Sequence, residues 1–120
     1  MAKLLVHVTC GPNDPTRAAL AFLVARTAQE EGHPVTLFLA GDAVHLLRPA
    51  TLDALQGLGT GRLREHYDAL RAGSAQFYLS GMSSAARGLA VSDLVQGSFE
   101  LVKPDVLVRL TFENDRVLSY

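Results

Sequence analysis

The chain contains one cysteine, Cys10, and no tryptophan. A lone cysteine excludes an internal disulfide and any zinc site built on several cysteines. Charge of one sign is also missing: 11 basic residues oppose 12 acidic ones, the net charge is -1, and the basic residues are scattered along the chain. The electrostatic footprint of a nucleic-acid binder is therefore lacking. The apolar runs are short, as in Leu4-Leu5-Val6 and Val106-Leu107-Val108, far from the roughly 20 residues that span a bilayer. No signal-peptide pattern precedes the first apolar segment, and with the single thiol this leads to the expectation of a reducing, cytoplasmic setting. No cofactor motif and no metal-ligand spacing stands out.

What remains is 120 residues, 48% of them hydrophobic, without internal repeats or low-complexity segments. That length builds one domain, 1–120, with a real core. Residues 3–10, "KLLVHVTC", read as a buried strand stopped by Gly11-Pro12. Residues 13–32 read as a helix, with Asn13 and Asp14 as N-cap candidates, Pro15 in the first turn and Gly32 at the C-cap. A strand at 34–40 completes a βαβ unit, whose strands are expected to be parallel. Residues 41–47 suggest a short helical turn ended by Pro49, and the glycine-rich stretch 51–61 suggests a mobile connection.

An amphipathic helix at 62–73, a strand at 75–80, a helix from 83 to about Gly88 and a further short turn follow. An extended segment at 98–102, a helix at 104–115 opened by Pro104, and a terminal strand at 116–120 close the pattern. This alternation predicts a three-layer α/β sandwich around a mostly parallel sheet of about five strands. Ligands of such sheets bind beyond the strand C-termini. Two strand ends continue into small polar residues, Thr9-Cys10-Gly11-Pro12-Asn13-Asp14 and Ser80-Gly81-Met82-Ser83-Ser84, and these two loops are the expected site.

In their order and separations, "GPNDPTRAALAF" after the first strand, "GHPVTLFLAGDAV" at 32–44, "FYLSGMSSAARGL" at 77–89 and the closing "LVRLTFENDRVLSY" resemble the DsrE/DsrF-like family of small cytoplasmic proteins linked to sulfur relay. The resemblance covers nearly the whole chain and implies a Rossmann-like fold and a homo-oligomer, whether dimer, trimer or hexamer. In the sulfurtransferase members a cysteine ends the third main strand, and eight residues later a glycine follows an arginine at the end of the next helix. Arg87 and Gly88 match that arginine and glycine, and the count back from Gly88 falls on Ser80. Ser83 stands where some relatives carry a second cysteine.

Persulfide relay needs a thiolate that takes up a sulfane sulfur and passes it on. A serine hydroxyl forms no persulfide, so relay at Ser80 is expected to be lost. Nucleophilic attack by Ser80 on carbonyl carbon would need a positioned base, and of His7, His33, His45 and His66 only His45 closely follows a strand C-terminus. Ser80 otherwise reads as the N-cap of the helix behind it, Gly81 as a turn residue, and Met82 as core or pocket wall. Cys10 ends strand one on the same predicted edge and reaches the same pocket if the two strands are neighbours. It reads as a small buried hydrophobe or, alternatively, as a reactive thiol that Asp14 would disfavour ionising. Arg87 is the candidate for an anion contact, or else a cation complementing its helix dipole.

The ligand-binding candidates are therefore Cys10, Asn13, Asp14, Ser80, Gly81, Met82, Ser83 and Arg87. Three functions follow as expectations: a subunit that has lost persulfide transfer and binds a small ligand or a sulfur-relay protein partner, a sulfur carrier that uses Cys10, or a structural partner in an oligomer. The helix at 62–73, the segment at 98–103 and the terminal strand are expected contact surfaces.

Overall fold

The computed structural model describes every residue except Ser98. In chain order the elements are β1 (Leu4–Val8), α1 (Pro15–Glu30), β2 (Val35–Leu39), a 3-10 helix (Gly41–Leu47), α2 (Pro49–Ala54), β3 (Gln56–Gly57), β4 (Gly61–Arg62), α3 (Leu63–Ala72), β5 (Gln76–Ser80), α4 (Gly81–Ala86), a 3-10 turn (Val91–Asp93), β6 (Phe99–Val102), α5 (Pro104–Glu113) and β7 (Arg116–Ser119). Five strands form one sheet in the order β6-β5-β2-β1-β7, and every neighbouring pair is parallel. The segment expected at 98–102 forms β6 from Phe99, while its first residue, Ser98, lies outside the described residues.

The strand order dictates the layers. From β1 the chain steps to β2, β5 and β6 in one direction and then returns past β1 to place β7 at the far edge. Right-handed crossovers in opposite directions put their helices on opposite faces. The first face holds the main core: Val6, Val8, Leu37, Leu39, Phe77 and Leu79 of the sheet pack with Phe22 and the alanines of α1 and with Leu63, Tyr67 and Leu70 of α3. The second face is thinner, with Leu5 and Phe38 under Leu110 of α5. Each large side chain withdrawn from water here contributes about 1.5–3 kcal/mol, so most of the stabilisation sits on the α1–α3 side. The outer side of α5 leaves Val108 and Phe112 in solvent.

Local chemistry sets the helix ends. Asp14 caps α1, its Oδ1 accepting the Arg17 N–H at 3.3 Å, and Pro15 takes the first helical position, where no donor is needed. At the other end Glu31 is the C-cap and Gly32 follows it.

The 3-10 helix ends at Leu47, ahead of Pro49 as expected, and Pro49 itself opens α2, because its missing N–H costs nothing in a first turn. One expectation needs correction. The stretch 51–61 is not a mobile connection: it supplies most of α2 and the antiparallel hairpin of β3 and β4. Thr16 of α1 holds that hairpin, accepting the Leu58 N–H on Oγ1 at 3.0 Å and the Thr60 hydroxyl on its carbonyl at 3.1 Å. Among the described residues no helix is long and apolar enough to cross a membrane.

Candidate functional site

Three strand ends meet at the carboxyl edge of the sheet, one more than the sequence reading used. They are Thr9–Gly11 after β1, Ala40–Asp42 after β2 and Ser80–Gly81 after β5. Gly11 is pressed so closely against the Asp42 backbone that a Cβ at this position would collide with the Asp42 carbonyl. The loops after β1 and β2 are thereby held in contact.

Ser80 is buried and is the N-cap of α4: its Oγ accepts the Ser83 N–H at 3.0 Å. Its carbonyl accepts the Ser84 hydroxyl at 2.9 Å. α4 starts at Gly81, two residues before its expected start, because this cap closes the first turn directly behind the strand. Beyond the C-cap Arg87, Gly88 takes a φ of 65°, and the Leu89 and Gly88 N–H groups bond back to the Ser84 and Ala85 carbonyls. That left-handed step favours glycine and closes the helix.

Ser83 and Arg87 join α4 to the loop after β2. The Ser83 Oγ accepts the Gly41 N–H at 2.9 Å. Arg87 sets Nε 3.1 Å and Nη2 3.0 Å from Asp42 Oδ1, and its Nη1 donates to the Ser83 carbonyl at 3.1 Å. The guanidinium expected to meet an external anion is thus neutralised by a carboxylate of the same molecule. Gly41 and Asp42 are the site residues that the sequence reading missed. The signal was there, since they follow a strand C-terminus as the other two loops do.

The first loop is also occupied with its own structure. Asn13 Oδ1 accepts the Gly11 N–H at 3.1 Å, and Asp14 is engaged as the cap of α1. Cys10 is half-buried and packs against the main core. Burial raises its thiol pKa above the ordinary value and nearby Asp14 raises it further, against smaller opposing effects of Arg17 and a backbone hydrogen bond. The thiol form is favoured, which suits packing and not nucleophilic attack.

Cys10 and Ser80 are not brought together. β2 lies between their strands, so two inter-strand steps, about 10 Å, separate the backbones. Cys10 packs on the α1 side; Leu79 also belongs to the main core and Tyr78 to the second cluster, so alternation along β5 assigns Ser80 to the opposite face.

Met82 is not a core residue: it is 66% exposed beside the Ser80 turn. Among the described residues no histidine hydrogen-bonds Ser80, whose hydroxyl serves the cap. His66 is buried, with Nε2 2.8 Å from the Thr60 carbonyl, and His33 sits at the opposite sheet edge with Nδ1 2.8 Å from the Ala2 carbonyl. His45 lies half-buried in the 3-10 helix after β2.

A five-stranded parallel sheet, with Arg87-Gly88 closing the helix that follows its third main strand, is the arrangement expected from the family resemblance, with Ser80 in the place of the strand-end cysteine. The family described as DsrE/DsrF-like matches residues 2–120. This chain belongs to the DsrE/DsrF-like family. Among solved structures it is similar to the ychN protein from E. coli, with a TM-score of 0.81 at 22% identity over 100% of both chains. It is also similar to the protein of unknown function MTH1491 from Methanobacterium thermoautotrophicum, with a TM-score of 0.75 at 14% identity, again over 100% of both chains. At these identities the likeness is one of fold. No curated protein matches the chain.

Proposed function

We propose that this DsrE/DsrF-like protein is a subunit of a sulfur-relay system that binds a small ligand or a relay partner and does not itself carry sulfur. The observation behind this reading is Ser80. It stands where the sulfurtransferase members carry their strand-end cysteine, and its hydroxyl is buried as a helix cap without a histidine base. A hydroxyl there holds the turn that a thiolate would occupy but forms no persulfide.

The alternative carrier, Cys10, is disfavoured by its raised pKa, its packing against the core and its distance from the Ser80 turn. The exposed surface of the carboxyl edge includes Met82 beside the turn and Asn13 and Asp14 on the loop after β1, and this is where a ligand or partner would make contact. A homo-oligomer fits the same picture, since the thin α5 face leaves Val108 and Phe112 in water, where a neighbouring subunit would cover them.

A transfer assay tests the reading. A persulfide-loaded donor protein is mixed with the chain and a thiol acceptor, and sulfur arriving on the acceptor is followed in time. The native chain is expected to leave the rate at its background value. Acceleration by the native chain that disappears in Cys10→Ser would replace this reading with a Cys10 carrier.

A further inference from the structure

β7 forms one margin of the sheet, paired with β1, and all four of its residues are exposed. Arg116 and Tyr120 turn their N–H groups inward, to the Lys3 and His7 carbonyls at 3.2 Å and 2.9 Å. Backbone direction alternates along a strand, so Val117 and Ser119 turn their N–H and C=O groups outward. Such a row is a template for another strand. The other margin is guarded: β6 carries Glu100 and runs directly into Lys103 and Pro104, whereas β7 has neither lysine nor proline.

The flanks of β7 are apolar and its surroundings are balanced in charge. Val117 is 39% exposed and Leu118 41%, on opposite faces of the strand. Leu118 borders an open groove of about 480 Å³ on the α1 side, together with Leu4, Leu23 and Val24. Around it Lys3 and Arg116 stand with the carboxylates of Glu31 and Asp115, and Asp115 Oδ2 accepts the Lys3 backbone N–H at 2.7 Å. A net charge here would face its own image across a two-fold axis, and a balanced margin does not repel a second copy.

We infer that two copies of this chain join through β7, antiparallel about a two-fold axis at Leu118, so that their five-stranded sheets become one. This surface is separate from the α5 face, and the inference does not rest on the sulfur reading. In this register Val117 opposes Ser119 of the partner subunit, and each such pair exchanges both backbone hydrogen bonds. Leu118 meets Leu118 of the partner subunit beside the groove, and Arg116 meets Tyr120 of the partner subunit, so no like charges are opposed. Centring the pairing on Arg116 would oppose two guanidinium groups, and centring it on Val117 would set Arg116 against the exposed leucine.

Light scattering and air oxidation of the full chain test this seam. At micromolar concentration the native chain should show at least twice the mass of one copy. Val117→Pro removes only an outward N–H, so it should lower that mass by about half while the circular dichroism spectrum is kept. In a Cys10→Ser background, Leu118→Cys should cross-link in air into a disulfide dimer, because its Cα atoms stand about 4.5 Å apart across the axis. Ser119→Cys lies out of register with its own copy and should cross-link about tenfold more slowly or not at all. A monomeric native chain, a mass unchanged by Val117→Pro, absent cross-linking at Leu118→Cys or equal cross-linking at Ser119→Cys overturns the proposal. If Val117→Pro does not fold, the two cysteine variants decide alone. The sulfur-transfer assay reads neither mass nor cross-linking, so failure of that reading is seen separately.

Discussion

Arg87 and Asp42, 45 residues apart in sequence, meet in an ion pair in which Nε and Nη2 approach the same carboxylate oxygen at 3.1 Å and 3.0 Å. The pair ties the C-cap of α4 to the loop after β2, and the Ser83–Gly41 hydrogen bond ties the same two segments one turn earlier. Both side chains are partly open to water, 30% for Arg87 and 51% for Asp42, so the electrostatic gain is screened. Arg87→Ala and Asp42→Ala are each expected to cost about 0.2–1 kcal/mol, and a double-mutant cycle by urea unfolding should return a coupling of the same order. Ser80→Ala, which removes the cap of α4, is expected to cost about 1 kcal/mol.

Gly11→Ala should be more damaging than its small size suggests. The added methyl would meet the Asp42 carbonyl, a backbone atom that cannot swing aside. The loops after β1 and β2 must separate to admit it. A loss of about 1–3 kcal/mol in unfolding free energy is expected, whereas alanine at the unobstructed Gly88 strains only the backbone, whose φ is 65°.

The thiol of Cys10 should alkylate slowly. With its pKa above the ordinary value, the thiolate fraction near pH 8 is below that of free cysteine, and iodoacetamide modification follows it. Asp14→Asn keeps the helix cap but removes the negative charge, so it should speed the reaction. Arg17→Ala should slow it further. Because the native thiol holds its proton more tightly than the unfolded one, this residue's contribution to stability is full below the unfolded pKa and is lost as pH rises through the native value.

Acid should find a weak point at His7. Its Nε2 is buried without a hydrogen-bond partner among the described residues, its ring meets Phe38 edge-on with centroids 5.9 Å apart, and burial lowers its pKa. The native state thus favours the neutral ring. The sign is opposite to that at Cys10: the stabilisation is present above the unfolded value of about 6.5 and is lost as pH falls through the native pKa. Urea midpoints at about pH 7.5 and about pH 5 should differ less in His7→Leu than in the native chain.

Much of the fold was legible because it is written locally. Apolar runs such as Leu4–Val8 and Val35–Leu39 announce strands covered on both faces, and Asp14-Pro15 announces a helix start. α2 is not legible in the same way, because the proline that follows the turn at Gly41–Leu47 also opens the next helix, and a proline in sequence does not say which of the two it does. The Gly57-to-Gly61 hairpin was misread because the bonds that fix it come from Thr16, about forty residues away. The site divides in the same way: Ser80 as a cap is a local fact and was read correctly. The partner of Arg87 and the interval between Cys10 and Ser80 depend on strand order, with β2 placed between β1 and β5, and no local pattern encodes that order.

The central claim is that this chain lacks a sulfur-accepting residue at its Ser80 turn and has no substitute in Cys10. Intact-mass measurement after exposure to stoichiometric sulfane-sulfur donor at neutral pH tests it most directly, with the native chain, Cys10→Ser and Ser80→Cys/Cys10→Ser side by side. The account predicts an unchanged mass for the first two and the gain of one sulfur atom by the third, in which a thiol returns to the capped turn. A native chain that gains one sulfur atom, with the gain abolished in Cys10→Ser, would contradict it.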